Sequence, residues 1–140
     1  MIYLIFMNTS RQEKIKDMIC NIEQCKDINN FFENLRILGK KLKTNEFIDN
    51  QIKILNILAN KERLMIIYSL KEKDRCVCEL EAILDKSQPS ISHHLKRLEE
   101  VNLIRGWKKS KFTYYSLNRN QLKSYINDYM SFFNFDKVLL

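Results

Sequence analysis

Scarce helix breakers, helical apolar spacing and a late change of pattern mark a mainly α-helical chain carrying one small β-hairpin. The 140 residues include only two Gly and one Pro, so long stretches run without the residues that interrupt helices. Apolar side chains recur at three- and four-residue spacing through most of the chain. Only after Asn102 does the pattern change, to two short runs rich in β-branched and aromatic residues. With 45% hydrophobic and 29% charged residues, the composition is that of a soluble globular protein of one domain, or one domain with an extension.

Within residues 11–38, Ile15, Ile19, Ile22, Phe32 and Leu35 fit one face of a helix. Gly39 is expected to end it, and Thr44 or Asn45 to cap the next. Residues 1–45 are therefore read as a helical N-terminal extension, followed by a core domain over 46–118 and a last helix within 119–140. The core should begin with a helix from Glu46 to Leu58 that partly buries Phe47, Ile48, Ile52, Leu55 and Leu58. Asn60 caps the next, with Leu64, Ile67 and Leu70 inward. A short helix follows from about Arg75 to Leu84, with Asp74 as its cap. "DKS" (85–87) turns the chain, and Ser87 caps a helix to about Val101. Pro89 lies in its first turn, where a missing N–H does no harm. "LIRGW" and "FTYYSL", separated by "KKSK", form a hairpin with a basic tip. Asn118 caps the last helix, whose Leu122, Tyr125, Ile126, Tyr129, Phe132 and Phe133 make an apolar stripe.

Two short helices joined by a three-residue turn and followed by a basic hairpin make a winged helix-turn-helix. At ~100° per residue, Ile91, Leu95 and Leu98 share an arc that must face the core. Ser90, His93, Lys96 and Arg97 then cluster on the opposite side. That outward set of hydroxyl, imidazole and cationic donors suits a reader of the DNA major groove. Ser87 and Gln88, at the helix start, can reach bases or phosphate. Lys108, Lys109 and Lys111 on the wing would hold phosphates without reading sequence. Between Lys86 and Tyr115, seven Lys/Arg face two Glu, a surplus of five positive charges, which fits a double-stranded DNA partner. His93 and His94 diverge by ~100° on a helix and are not expected to share a metal ion. Trp107, Phe112, Tyr114 and Tyr115 are read as wing packing in preference to a stacking platform for single strands.

The four cysteines fall into two pairs, Cys20/Cys25 and Cys76/Cys78. Cys76 and Cys78 are expected in the first turn of the short helix. In a regular helix they would point ~200° apart. At a helix start the backbone is freer, and the exposed N–H groups favour thiolate. Two thiolates fall short of the three or four ligands that zinc, cadmium or lead take, and of the three that trivalent arsenic takes. Two small packed residues are the alternative. If residues 11–38 are one straight helix, Cys20 and Cys25 point ~140° apart and only one can join a given site; a kink or loop between them would free both.

The order of these pieces, "CVCEL", then "SQPSISHHLKRLEEVNLI", then "FTYYSL", resembles the ArsR/SmtB family of metal- and metalloid-responsive repressors across residues 47–118. The resemblance implies a homodimeric repressor that leaves its operator when a thiophilic ion binds: arsenite or antimonite, or cadmium, lead or zinc, with no organic cofactor. It assigns Cys76 and Cys78 as ion ligands. It places Gln88, Ser90, His93, Lys96 and Arg97 in the recognition helix, and residues 120–133 in the dimerisation helix. Arsenic-sensing relatives can carry a further cysteine where this chain has Glu81. Cadmium/lead sensors draw two more cysteines from an N-terminal arm, which here would be Cys20 and Cys25. The family's other zinc site, on the dimerisation helix, needs His that residues 120–140 lack; Asp128 and Asp136 do not make it alone.

Two other readings stay open: the same fold with a cysteine redox switch, and a constitutive DNA-binding module whose thiols are inert or hold structural zinc. An enzyme is not expected, because no phosphate-cradling glycine loop, nucleophile elbow or paired general acid and base occurs. "MIYLIFM" is too short for a secretory signal or a membrane span, and no run approaches 18 apolar residues, so a cytoplasmic protein without membrane association is expected.

Overall fold

Four short polar side chains set helix starts. Asp27 accepts from the Asn30 N–H, Asn45 from those of Phe47 and Ile48, Asn60 from Arg63 and Asn118 from Gln121. Each satisfies N–H groups that the first turn leaves without intrahelical partners. In the computed structural model, which describes residues 2–23 and 26–134 and the side chains of 10–22 and 26–134, the elements run α1 (Ile2–Glu23), α2 (Ile28–Lys43), α3 (Glu46–Leu58), α4 (Lys61–Glu72), β1 (Arg75–Cys76), α5 (Val77–Leu84), α6 (Gln88–Glu99), β2 (Ile104–Lys109), β3 (Phe112–Leu117) and α7 (Arg119–Phe132). The chain divides into two compact units, Met1–Ile48 and Asp49–Leu140. Among the described residues no helix is long and apolar enough to cross a membrane.

In the first unit the expected single helix over 11–38 is two helices, α1 and α2, and Gly39 does not end the second. Gly39 keeps helical backbone with open space where a Cβ would be, and α2 continues to Lys43, closed by Thr44. A helical glycine costs roughly 1 kcal/mol against alanine but stops a helix only where the chain takes a left-handed turn. Phe32 is buried in this unit, with the Lys16 ammonium 5.4 Å from its ring centre.

The second unit is the expected mainly helical winged fold. One core joins Ile54 and Ile57 of α3, Ile66, Ile67 and Leu70 of α4, Leu80 and Leu84 of α5, Ile91, Leu95 and Leu98 of α6, and Val101, Leu103 and Ile104 beyond it. The arc read from the α6 spacing is the buried one. In α3 and α4 the expected faces shift: Phe47, Ile52, Leu55 and Leu64 are exposed, and Ile54, Ile57 and Ile66 point inward in their place. Both helices carry apolar residues on more than one side, so spacing alone did not choose between them. Between α5 and α6, Asp85 takes a left-handed conformation at φ 51° and turns the chain in three residues. Asp tolerates that region better than bulkier side chains do.

The sheet has the antiparallel order β1-β3-β2. The wing strands are longer than read, since Lys108 and Lys109 lie in β2 and only Ser110 and Lys111 form the turn, with Ser110 at φ 55°. Gly106 sits opposite Tyr115, and a Cβ there would come within 3.2 Å of the Tyr115 ring. The third strand was not expected. Arg75 and Cys76 extend and pair with Tyr115 and Tyr114 of β3, so the segment before α5 belongs to the wing's sheet.

Candidate nucleic-acid interface and thiol site

Because Ile91, Leu95 and Leu98 are buried, α6 turns His93, Lys96 and Arg97 to solvent and leaves Ser90 half-buried. Ser87 stands at the N-cap position but makes no side-chain capping bond, and it is exposed along with Gln88. Arg97 donates to Glu100 at 2.8 Å across the exposed surface. Such surface pairs are worth at most about 1 kcal/mol, so exchanging it for a phosphate costs little. His94 is half-buried, its Nδ1 has no hydrogen-bond partner, and burial, then the charge of Arg63, lowers its pKa. It is a neutral ring at the core edge. The His93 and His94 ring centres are 5.7 Å apart and steeply inclined.

Lys108, Lys109 and Lys111 are exposed along the wing. Its aromatic residues pack only in part as expected: Tyr115 packs against the core, while Trp107 stacks on Tyr114 with centroids 5.0 Å apart but stays exposed. Phe112 stays exposed, with the Lys111 ammonium 5.5 Å from its ring centre. A network missed in the sequence anchors this wing. The Trp107 Nε1–H donates to Asp74 Oδ2 at 2.9 Å, and the Ser116 hydroxyl donates to the same oxygen. Asp74 therefore does not cap α5. Its partners lie 33 and 42 residues away, beyond the reach of any local pattern.

The cap of α5 is Cys76 itself. Its Sγ accepts from the Glu79 N–H at 3.4 Å, while the Cys76 N–H donates to Glu79 Oε2 at 2.8 Å. This reciprocal capping box was legible as C-x-x-E in the place of the usual S/T-x-x-E. The hydrogen bond from the Cys76 N–H is the main cause holding the Glu79 pKa down; burial opposes it, and Lys73 and Arg75 assist. Cys76 is thus the last residue of a strand, and only Cys78 lies in the first turn. Extended backbone at Cys76 (φ −77°, ψ 164°) removes the divergence expected of two helical positions. The two Sγ atoms are joined as a disulfide, with Cα atoms 5.4 Å apart, inside the usual span for such bonds. Cys76 is 5% exposed, whereas Cys78 is open to solvent.

Reduced, these sulfurs converge well enough to offer one ion two thiolates. Among the described residues, no group of three or more Cys, His, Asp or Glu is placed to hold a metal, so the pair fits as two ligands of an incomplete shell. Cys20 is a free, exposed thiol on α1, and Cys25 lies outside the described residues. On α7, Asp128 is exposed and Asp136 lies outside the described residues. That helix buries no residue completely and exposes Ile126, Tyr129, Met130 and Phe132, with Phe133 exposed at its C-cap. Tyr125 ties it to the core by donating to the Val101 carbonyl at 2.9 Å.

Residues 60–105 match the family described as bacterial regulatory protein, arsR family. The chain is 36% identical over 72 residues to the arsenical resistance operon repressor of Bacillus subtilis, a stretch covering 51% of this chain and 69% of that protein. It is 32% identical over 75 residues to a cadmium resistance transcriptional regulatory protein CadC homolog of Staphylococcus aureus, covering 53% and 62%. Among solved structures, reduced HlyU from Vibrio cholerae superposes with a TM-score of 0.52 at 27% identity, covering 64% of this chain and 95% of that one.

Proposed function

The chain belongs to the arsR family of bacterial regulatory proteins, and from that premise we propose that it is a metal-responsive transcriptional repressor whose operator complex is released by a thiophilic ion at Cys76 and Cys78. The observation that carries the reading is the junction between the two sites. The thiol-bearing segment is a strand paired with the wing, and the helix it caps packs against α6. DNA is held by Ser87 at the N-cap of α6, by Gln88, Ser90, His93, Lys96 and Arg97 of that helix, and by Lys108, Lys109 and Lys111 from the wing. The protein acts in the cytoplasm as a homodimer through α7, because operators of such readers have paired half-sites. Arsenite, antimonite, cadmium, lead and zinc are the candidate effectors, given relatives named for arsenical and cadmium resistance. The two thiolates leave one or two ligand positions open, and Cys20 and Cys25 are the chain's remaining thiols to complete them.

Linkage sets the energetic demand. An ion releases DNA only by binding the free form more tightly, and a hundredfold loss of operator affinity needs ~2.7 kcal/mol of coupling. The test is operator binding by the reduced, anaerobic protein on DNA upstream of its own gene, titrated separately with cadmium, lead, zinc and arsenite, and repeated with Cys20→Ser/Cys25→Ser. Release by one ion supports the sensor, and weakened release in the double variant assigns those thiols to the shell. A tight complex that no ion weakens would rule the metal reading out.

A second reading has its own observation. The joined Cys76 and Cys78 sulfurs favour a redox switch of the same DNA-binding fold, in which oxidation in the absence of metal changes operator affinity.

A further inference from the structure

Cys78 opens into a cleft that it shares with Gln88, Lys108 and Lys111, residues assigned above to DNA. A cavity of about 390 Å³ lies between α5, the start of α6 and the wing, bordered by Cys78, Glu81, Gln88, Lys108, Lys111 and Phe112. Its size suits a small ligand, and its charged side chains are two lysines against one glutamate. The two sulfurs differ sharply in access, since Cys76 is 5% exposed and seals the cap of α5 while Cys78 is open.

We infer that Cys76 and Cys78 form a thiol–disulfide exchange site, with Cys78 as the entry sulfur, Cys76 as its resolving partner, and the cleft as a seat for anionic low-molecular-weight thiols and disulfides. This rests on the redox reading above and adds the class of reactant and the order of events. In the oxidising direction, the Cys78 thiolate attacks one sulfur of an external disulfide R–S–S–R. A Cys78–S–S–R bond forms, and R–S⁻ leaves with the electron pair of the broken bond. The Cys76 thiolate then attacks Cys78 Sγ, closing the Cys76–Cys78 bond and expelling the second R–S⁻. One external disulfide is reduced by two electrons and the protein pair is oxidised by two. In the reducing direction, R–S⁻ attacks Cys78, because Cys76 is shielded, and a second R–S⁻ releases R–S–S–R. Carboxylates on R would lie against Lys108 and Lys111. Those lysines are also assigned to DNA phosphate, so the anionic intermediate and the operator compete for the same charge.

The test uses three disulfides of matched size, dithiodipropionate (anionic), hydroxyethyl disulfide (neutral) and cystamine (cationic), with the full-length reduced protein carrying Cys20→Ser/Cys25→Ser, so that Cys76 and Cys78 are its only thiols, in chelator and followed by intact mass. Each rate is divided by that of the same reagent on the urea-unfolded chain, which removes differences in intrinsic reactivity. The expected result is a folded-state preference for dithiodipropionate over cystamine of about tenfold at low salt, the scale of charge focusing in a cleft. It should collapse in Lys108→Gln/Lys111→Gln. Cys76→Ser should trap a stable mixed disulfide on Cys78, while Cys78→Ser should leave Cys76 unmodified in the folded protein. Equal normalised rates for the three reagents, or an adduct on Cys76 in Cys78→Ser, would overturn the proposal. None of these readouts involves DNA or metal, so their failure is distinct from failure of the repressor or redox readings, which operator binding tests.

Discussion

Cys76 does two jobs at one position, and the jobs separate by substitution. As the N-cap of α5 it accepts a backbone hydrogen bond, a role serine fills better; as a thiol it has no substitute. Cys76→Ser is therefore expected to keep the stability of the reduced wild type within about 0.5 kcal/mol, whereas Cys76→Ala loses about 1 kcal/mol of capping, both measured by urea unfolding. His94 makes a second prediction. Burial and Arg63 lower its folded pKa below the ordinary 6.5, so as pH falls through 6.5 the unfolded chain takes up a proton that the folded chain refuses. Stability then declines with acidification until pH reaches the lowered folded value. His94→Leu should flatten that part of the stability curve, and an unchanged slope would show that another group causes it. At this scale the sequence was a good guide to many local roles, though it named Asp74 where Cys76 caps α5 and gave Ser87 a capping bond it does not make. The inward arc of α6 and the caps at Asn60 and Asn118 follow from neighbours within four positions. Asp74, held by Trp107 and Ser116, and Gly106, making room for Tyr115, depend on partners in distant strands and left no local trace.

Among the elements, the wing is the part whose charge and position both matter. Lys108, Lys109 and Lys111 project from a hairpin pinned to the thiol segment by β1–β3 pairing and by the Asp74 network. If each holds one phosphate, replacing all three by glutamine should make the dependence of log affinity on log salt shallower by ~0.9 per lysine. Discrimination between operator and unrelated DNA should survive, because phosphate contacts position without specifying. Loss of discrimination with an unchanged salt slope would place these lysines on bases. Element types were legible from periodicity, and the boundaries that moved have physical causes. Gly39 stayed helical because no left-handed turn follows it. Arg75 and Cys76 became a strand because β3 offered an edge to pair with, a tertiary opportunity that a helical pattern over "CVCELEAIL" cannot reveal. That shift brought the two sulfurs together.

For the whole molecule, α7 exposes Ile126, Tyr129, Met130 and Phe132, and the proposed homodimer would bury that stripe. Dimerisation through α7 predicts that Ile126→Glu/Met130→Glu sediments as a monomer with helix content intact; an unchanged sedimentation coefficient would move the interface elsewhere. The resemblance read from the order of motifs located the family, and the family match over residues 60–105 agrees with it. The completeness of the ion shell was not legible, because ligand number depends on which chain segments meet. In the proposed repressor the Cys76–Cys78 site controls the grip of α6 and the wing on DNA. The most direct test of that control is the operator affinity of reduced protein with and without the releasing ion, in wild type and in the cap-preserving Cys76→Ser. The expected loss is at least about a hundredfold in the wild type and almost none in the variant. Equal loss in both would contradict it and place the control at another site.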